Sequence, residues 1–190
     1  MRLPYTDNPP KNLSKEDEGV LERVKARRGE RGLLPLDLTL LHAPKVTDGW
    51  NSLLGAIRTR TSLPDNIREI AICRPALINK AWFEWMHHAP LLEASASFKS
   101  KPNKIEVMKQ LHPHDQGSLD AEEWVVLRYA DAMTREIKVK QELFDELKEL
   151  FDEQEVIEIT ATVASYNMVS RFLVALDVGE MNDEVPGFAR

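Results

Sequence analysis

Cysteine is almost absent: Cys73 is the only one in 190 residues. One thiol excludes an intramolecular disulfide and a cysteine-rich metal site, and it fits a reducing compartment. An excess of positive charge is also missing, with 31 acidic against 25 basic residues and a net charge of −6. That balance argues against a phosphate backbone as partner, so no nucleic acid is expected. The basic runs Lys25 to Arg31 and Lys99 to Lys104 are flanked by acids or turn residues and read as solvated edges. No segment is read as approaching the roughly 20 apolar residues of a membrane span. The opening MRLPYTDNPP sets prolines and an aspartate where a signal peptide needs an apolar run, and the final GFAR matches no lipidation or retrieval signal. The expectation is a cytoplasmic protein without a membrane partner.

Alternating strand patterns, fixed-period repeats and low-complexity tracts are lacking too, and what remains is helical periodicity. The apolar fraction of 43% supplies one sizeable core. The expected organisation is an extended N-terminal arm over 1–13, one all-α domain over 14–180 and a tail over 181–190. Ser14 offers an N-cap to a helix ending near Arg28, with Gly29 and Gly32 as stop signals. After the short segment LDLTLLHA, the positions Trp50, Leu53, Leu54 and Ile57 repeat as one buried face requires. The start SLPD at Ser62 to Asp65 opens a helix carrying Ile67, Ile70, Ala71 and Cys73, in which Pro75 predicts a kink or restart. A helix from about Lys80 to Ala96 follows. Lys99 to Asn103 reads as a loop, Ile105 to Leu111 as a short helix and HPHDQGS as another loop. Asp120 with Glu123 makes a capping-box start. Helices over Val139 to Leu150 and Gln154 to Val178 complete the chain, with Trp124, Met133, Met168 and Phe172 assigned to the core.

The stretch AWFEWMHHAP, residues 81–90, concentrates chemistry. On a helix Glu84 and His88 stand one turn apart on a face shared with Ala81 and Trp85, while His87 points about 100° away. On these residues alone two readings stand. The pair is either a half-exposed helical contact worth a few tenths of a kcal/mol, with Trp82 and Trp85 in the core, or a proton-transfer site. A zincin-type metal site fits poorly, because it needs histidines four apart and these are adjacent. In HPHD, His112, His114 and Asp115 carry ligand atoms, but Pro113 and the loop leave their geometry undefined, so no metal is expected. His42 reads as a packing or capping histidine, and Cys73 as a small core residue.

REIAIC, then AWFEWMHHAPLLEAS, then the run from Trp124 to Val178, resemble the carboxymuconolactone decarboxylase family, which shares an all-helical fold with the AhpD-like alkylhydroperoxidases. The peroxidase branch has a glutamate, two cysteines three apart and a histidine. In this sequence those places fall at Glu69, Ala81, Glu84 and His88. The acid and the imidazole match while both sulfurs are absent, so dithiol peroxide reduction is not available. Glutamate at the second sulfur position is similar to the non-redox members with EW-x-H or EW-x-HH.

The resemblance implies an AhpD-like helical bundle, a cofactor-independent carboxy-lyase or proton-transfer isomerase, and a small carboxylated lactone or keto acid as substrate. It implies His88, Glu84 and Glu69 as the acid/base set, with His88 moving the proton at carbon, Glu84 orienting it or sharing that role and Glu69 completing the relay. Trp82, Trp85 and His87, with Trp50 as a further candidate, would wall the pocket, and Arg58, Arg74 or Arg171 would hold a substrate carboxylate. It further implies a homo-oligomer, trimer or hexamer. The competing expectations are alkylhydroperoxidase-like activity through Cys73 and a non-catalytic helical scaffold, the latter requiring Glu84 and His88 to face solvent with no enclosed cavity adjoining them.

Overall fold

The structure is a computed structural model and describes residues 1–189. Among them there is no strand, and the chain divides into two compact units, residues 1–61 with 176–180 and residues 62–175 with those from Met181 onward. In the first unit, α1 (Lys15–Arg28) starts on the Ser14 hydroxyl, which accepts from the Asp17 amide, and stops at Gly29, whose φ of 58° favours glycine. The first five residues of LDLTLLHA belong to a helix, α2 (Pro35–Leu40): Pro35 opens it and the Asp37 carboxylate returns to accept from the Leu34 amide. The same buried Asp37 takes two bonds of 2.7 Å from Arg28, so this end of the first basic run is a structural partner and not a solvated edge. Helix α3 (Pro44–Thr59) buries Trp50, Leu54 and Ile57 against α1, but Leu53 faces solvent. The arm is tied to its own chain: the Thr6 hydroxyl donates to the Leu38 carbonyl, His42 Nε2 to that of Pro4, and the N-terminal ammonium to Asp177.

The second unit is built around α4 (Asp65–Ile78), ten of whose fourteen residues are buried. It packs against α5 (Trp82–Ala94), α6 (Ala96–Ser100), α7 (Lys104–Met108) and α8 (Ala121–Arg135). The helix continues through Pro75 to Ile78, so the proline sits in its last turn. There its missing N–H costs one intrahelical bond and the chain does not restart until Trp82. Helix α6 takes Lys99 and Ser100 out of the expected loop. Helix α8 carries the expected capping box, Asp120 accepting from the Glu123 amide and Glu123 from the Asp120 amide. Helices α9 (Gln141–Leu150) and α10 (Glu153–Leu176) follow, with Leu147 buried, Leu150 exposed and Met168 exposed rather than in the core. Contrary to the sequence reading, α10 is long and apolar enough to cross a membrane by length and composition. Half of its most apolar window is buried within this chain, and a core helix passes that test equally.

Lys104, assigned from sequence to a solvated basic run, is only 2% exposed. Its ammonium donates to Glu123 Oε2 at 2.6 Å, to Ser97 Oγ at 2.6 Å and to Asp120 at 3.3 Å. Glu123 also accepts from Asn66 at 2.9 Å and Ser97 at 2.5 Å. Burial pushes the Glu123 carboxyl up, but the bonds from Lys104, Ser97, Asn66 and the Asp120 amide together pull it below its ordinary value. Removing the ammonium leaves a buried carboxylate short of its countercharge. Lys104→Met is therefore expected to cost about 3–5 kcal/mol in urea unfolding, and adding Glu123→Leu to recover most of it. Because the folded carboxyl is the stronger acid, its stabilisation is full above the unfolded carboxyl value and fades as pH falls through the folded one. A Lys104→Met loss under 1 kcal/mol, roughly that of an exposed pair, would contradict this account.

Candidate active site

Glu69 and His88 reach each other because α4 and α5 are packed neighbours joined by only Asn79, Lys80 and Ala81. Lys80 turns this corner with φ at 55°, in the left-handed region. Glu69 Oε2 and His88 Nδ1 lie 2.7 Å apart, and the two residues are 3% and 6% exposed. A carboxylate can only accept, so Nδ1–H donates in this pair and Nε2 is the ring nitrogen left to face the rest of the site. Facing Nε2 at 3.3 Å is the hydroxyl of Tyr166, whose ring meets the imidazole edge-on at 5.1 Å. The result is a buried line of carboxylate, imidazole and phenol drawn from α4, α5 and α10.

Glu84 lies one turn before His88 on α5 and is 2% exposed. It was expected to orient the imidazole or to share its role; at Nδ1 it is Glu69 that bonds the imidazole. Glu84 Oε1 accepts from Ser170 Oγ at 3.0 Å, while Oε2 is buried without a hydrogen-bond partner. Burial raises its pKa well above the ordinary carboxyl value, and the single serine bond only partly opposes this, so the site favours the protonated form of Glu84. The site thus sets a carboxyl that burial pushes towards its protonated form one helical turn from an imidazole bonded to a second carboxyl, an arrangement in which acid and base roles can separate.

Tyr166 and Ser170 were not singled out from sequence. They sit four apart on α10, so one face of that helix delivers both. Between them Asn167 is fully bonded: its amide nitrogen donates to Thr134 and the Val163 carbonyl, and its oxygen accepts from Asn79 and Arg171. Because Asn79 caps α4, this network ties the α4–α5 corner to the helix supplying Tyr166 and Ser170.

The other expected contacts lie elsewhere. Arg74 is 0% exposed and spends all five N–H donors internally, two on Asp131 and three on the carbonyls of Met108, Gln110 and Leu111, so it has none for a substrate carboxylate. Arg171 is on the exposed side of α10 and both its bonds go to Asn167. Arg58 belongs to α3 in the first unit, as does the buried Trp50. His87 is exposed, donating Nδ1–H to the Phe83 carbonyl at 2.7 Å. Trp85 is core and meets Phe188 at 5.2 Å. Trp82 precedes Glu84 by two residues, about 200° around the helix. It lines a separate cleft that includes none of Glu69, Glu84 and His88, and its indole Nε1 is buried without an acceptor, a loss of about 1–3 kcal/mol. His112, His114 and Asp115 are exposed, and no group of three potential metal ligands occurs among the described residues. Cys73 is fully buried, and burial, with Glu69 adding, pushes its thiol well up, which suppresses the thiolate.

No protein-family model and no curated protein sequence matches the chain. Solved structures do match. A peroxidase-related protein from Silicibacter sp. TM1040 aligns at a TM-score of 0.72 with 17% identity over 96% of this chain and 93% of its own. A protein from Ralstonia eutropha JMP134, described as an alkylhydroperoxidase AhpD core, aligns at 0.73 with 16% identity over 93% and 90%. The debrominase Bmp8, as a cysteine-to-alanine variant in complex with 2,3,4-tribromopyrrole, aligns at 0.67 with 20% identity over 87% and 88%. Likeness at such identities concerns the fold: the chain has the all-α AhpD-like architecture, as the resemblance implied.

A raised carboxyl pKa has a definite consequence. Between the ordinary carboxyl value and the raised one, the folded chain keeps a proton that the unfolded chain releases, so Glu84 makes stability fall as pH rises through that window. Glu84→Gln removes the titration and preserves the acceptor for Ser170. The variant's melting temperature is expected to gain on the native one as pH rises above the ordinary carboxyl range; parallel curves would mean that the Glu84 carboxyl is not raised in the folded protein.

Proposed function

We propose that this chain is a cofactor-independent acid/base enzyme on the AhpD-like fold, a carboxymuconolactone decarboxylase-like carboxy-lyase acting on a small carboxylated lactone or keto acid. The observation that carries the reading is the buried Glu69–His88–Tyr166 line with the buried Glu84 one turn away on α5, its carboxyl pushed up by burial, and no thiol at either sulfur position of the peroxidase pattern. In the reaction the bond between carbon and carboxylate breaks, its electron pair moves into the conjugated carbonyl as an enolate, and CO₂ leaves. A proton then returns to carbon. Glu84 is suited to protonate the enolate oxygen or carbon, and His88, held at Nδ1 by Glu69, to move the balancing proton through Tyr166. Without loss of CO₂, the same groups would catalyse proton-transfer isomerisation.

A scaffold without chemistry would leave Glu84 and His88 solvated, whereas both are buried. A peroxidase-type reading would have to use Cys73, which is buried with its thiolate suppressed. A homo-oligomer and a cytoplasmic location belong to the proposal as well.

The test is CO₂ release and deuterium incorporation at carbon across a panel of lactone and β-keto acids. His88→Ala and Glu69→Gln are expected to lower turnover by about 10²–10⁴, Glu84→Gln to lower kcat more than it raises KM, and Cys73→Ser to leave turnover unchanged. Full turnover in both His88→Ala and Glu84→Gln would remove these residues from the mechanism.

A further inference from the structure

The carboxylates that α8 turns towards α4 each have a cation of their own: Asp131 takes Arg74, and Glu123 takes Lys104. Glu69, on α4 itself, is 3% exposed, and the cation beside it is its chain neighbour Arg68, whose Nε stands 3.8 Å from Glu69 Oε1. The two oxygens of Glu69 are thereby divided, Oε2 accepting from His88 Nδ1–H at 2.7 Å and Oε1 turned to the guanidinium. Arg68 is fixed from two further sides. Its Nη1 donates to the carbonyl of Leu63 at 3.3 Å, just ahead of α4, and its Nη2 to Asp65, the first residue of that helix. The side chain is 15% exposed, so solvent screens its charge weakly.

A guanidinium keeps its proton inside a protein, so Arg68 and the Glu69 carboxylate already sum to zero. A protonated His88 would add a positive charge that the surrounding groups do not balance. Glu84 on α5 is pushed towards its protonated form, Cys73 on α4 towards its thiol, and α10 presents the Tyr166 hydroxyl. Glu93 of α5, Lys99 of α6 and Glu106 of α7 are exposed, and Asp131, Glu123 and Lys104 are already paired. An unbalanced charge in a buried cluster is costly, and the cluster sheds it by releasing the proton.

We infer that Arg68 is a positioning residue of the Glu69–His88 centre: by balancing the Glu69 carboxylate it leaves the His88 imidazole uncharged near neutral pH, with the proton on Nδ1 and Nε2 unprotonated towards Tyr166. The use of this state in catalysis rests on the acid/base reading proposed above, whereas the state itself rests on the arrangement of charges. Without the guanidinium, the pair holds a buried negative charge. Imidazole is the stronger base of the two, so the pair then takes up a proton at Nε2.

The test follows the histidine nitrogens of the whole protein by NMR as pH is varied. Of the five histidines, His42, His87, His112 and His114 are exposed, so the His88 signal is the one that survives replacing each of them in turn by Gln. In the native chain Nε2 of His88 is expected to be unprotonated near neutral pH. Arg68→Gln should raise the pH at which Nε2 takes up its proton by about one pH unit, and Arg68→Lys, which keeps the charge, should return it most of the way. A native Nε2 that is protonated near neutral pH would overturn the inference, even if Arg68→Gln did not fold. An unmoved midpoint in Arg68→Gln, or the same midpoint in Arg68→Gln and Arg68→Lys, would overturn it as well. These signals need no turnover: with the expected titrations and no lactone or keto acid converted, the proposed reaction fails and the role of Arg68 stands. Turnover by a native protein whose Nε2 is protonated gives the reverse.

Discussion

Helix α4 is enclosed on nearly every side, and this one constraint organises the second unit. A polar side chain on such a helix must find its partner inside the protein, because solvent is not at hand to supply one. Glu69 meets His88 from α5, and five residues on Arg74 meets Asp131 from α8 together with three carbonyls. The first pairing has a free end: beyond Nδ1 the imidazole continues to Nε2 and Tyr166, so the bond that satisfies the buried carboxyl also aligns a proton path. The second closes on itself, with no donor left over, and is structural.

Burial by itself does not set the charge of a carboxyl in this fold; the number of donors does. Glu84 and Glu123 are both removed from water, yet their affinities for a proton move in opposite directions. Glu123 gathers an ammonium, a serine hydroxyl, an asparagine amide and a backbone N–H, enough to hold it ionised. Glu84 has one serine hydroxyl. A neutral acid can give its proton away during a reaction, whereas a carboxylate locked by four donors has neither a proton to give nor a lone pair to spare.

Local rules carried the helical architecture far. Ser14 and the Asp120–Glu123 box are decided by neighbours along the chain and were legible as caps, and the start near Asp65 was legible from its proline, while α2, six residues opened by Pro35, was too short to show a period. Glu84 and His88 were visible as a pair one turn apart, but Glu69 entered only through the family pattern, since nineteen positions separate it from the imidazole it touches. Tyr166 and Ser170 could have been noticed as two hydroxyls four apart on an apolar helix, though nothing in α10 names the helix they face. Lys104 was misread because a run of lysines looks alike whether its last member turns outward or into the protein. Trp82 was misplaced despite available geometry: two residues along a helix is more than half a revolution, so it could not share a wall with Glu84.

Arg74 has a reach beyond its own charge. The carbonyls it gathers belong to Met108, Gln110 and Leu111, a segment just past the end of α7 with little helix of its own, and the last two of these form part of the Trp82 cleft. One bank of that hollow therefore hangs from a guanidinium rooted in the centre of the unit. Lysine, with three donors at a single point, could not span the same fan of acceptors, so the contour of an outer surface is dictated here by the planar shape of an inner side chain.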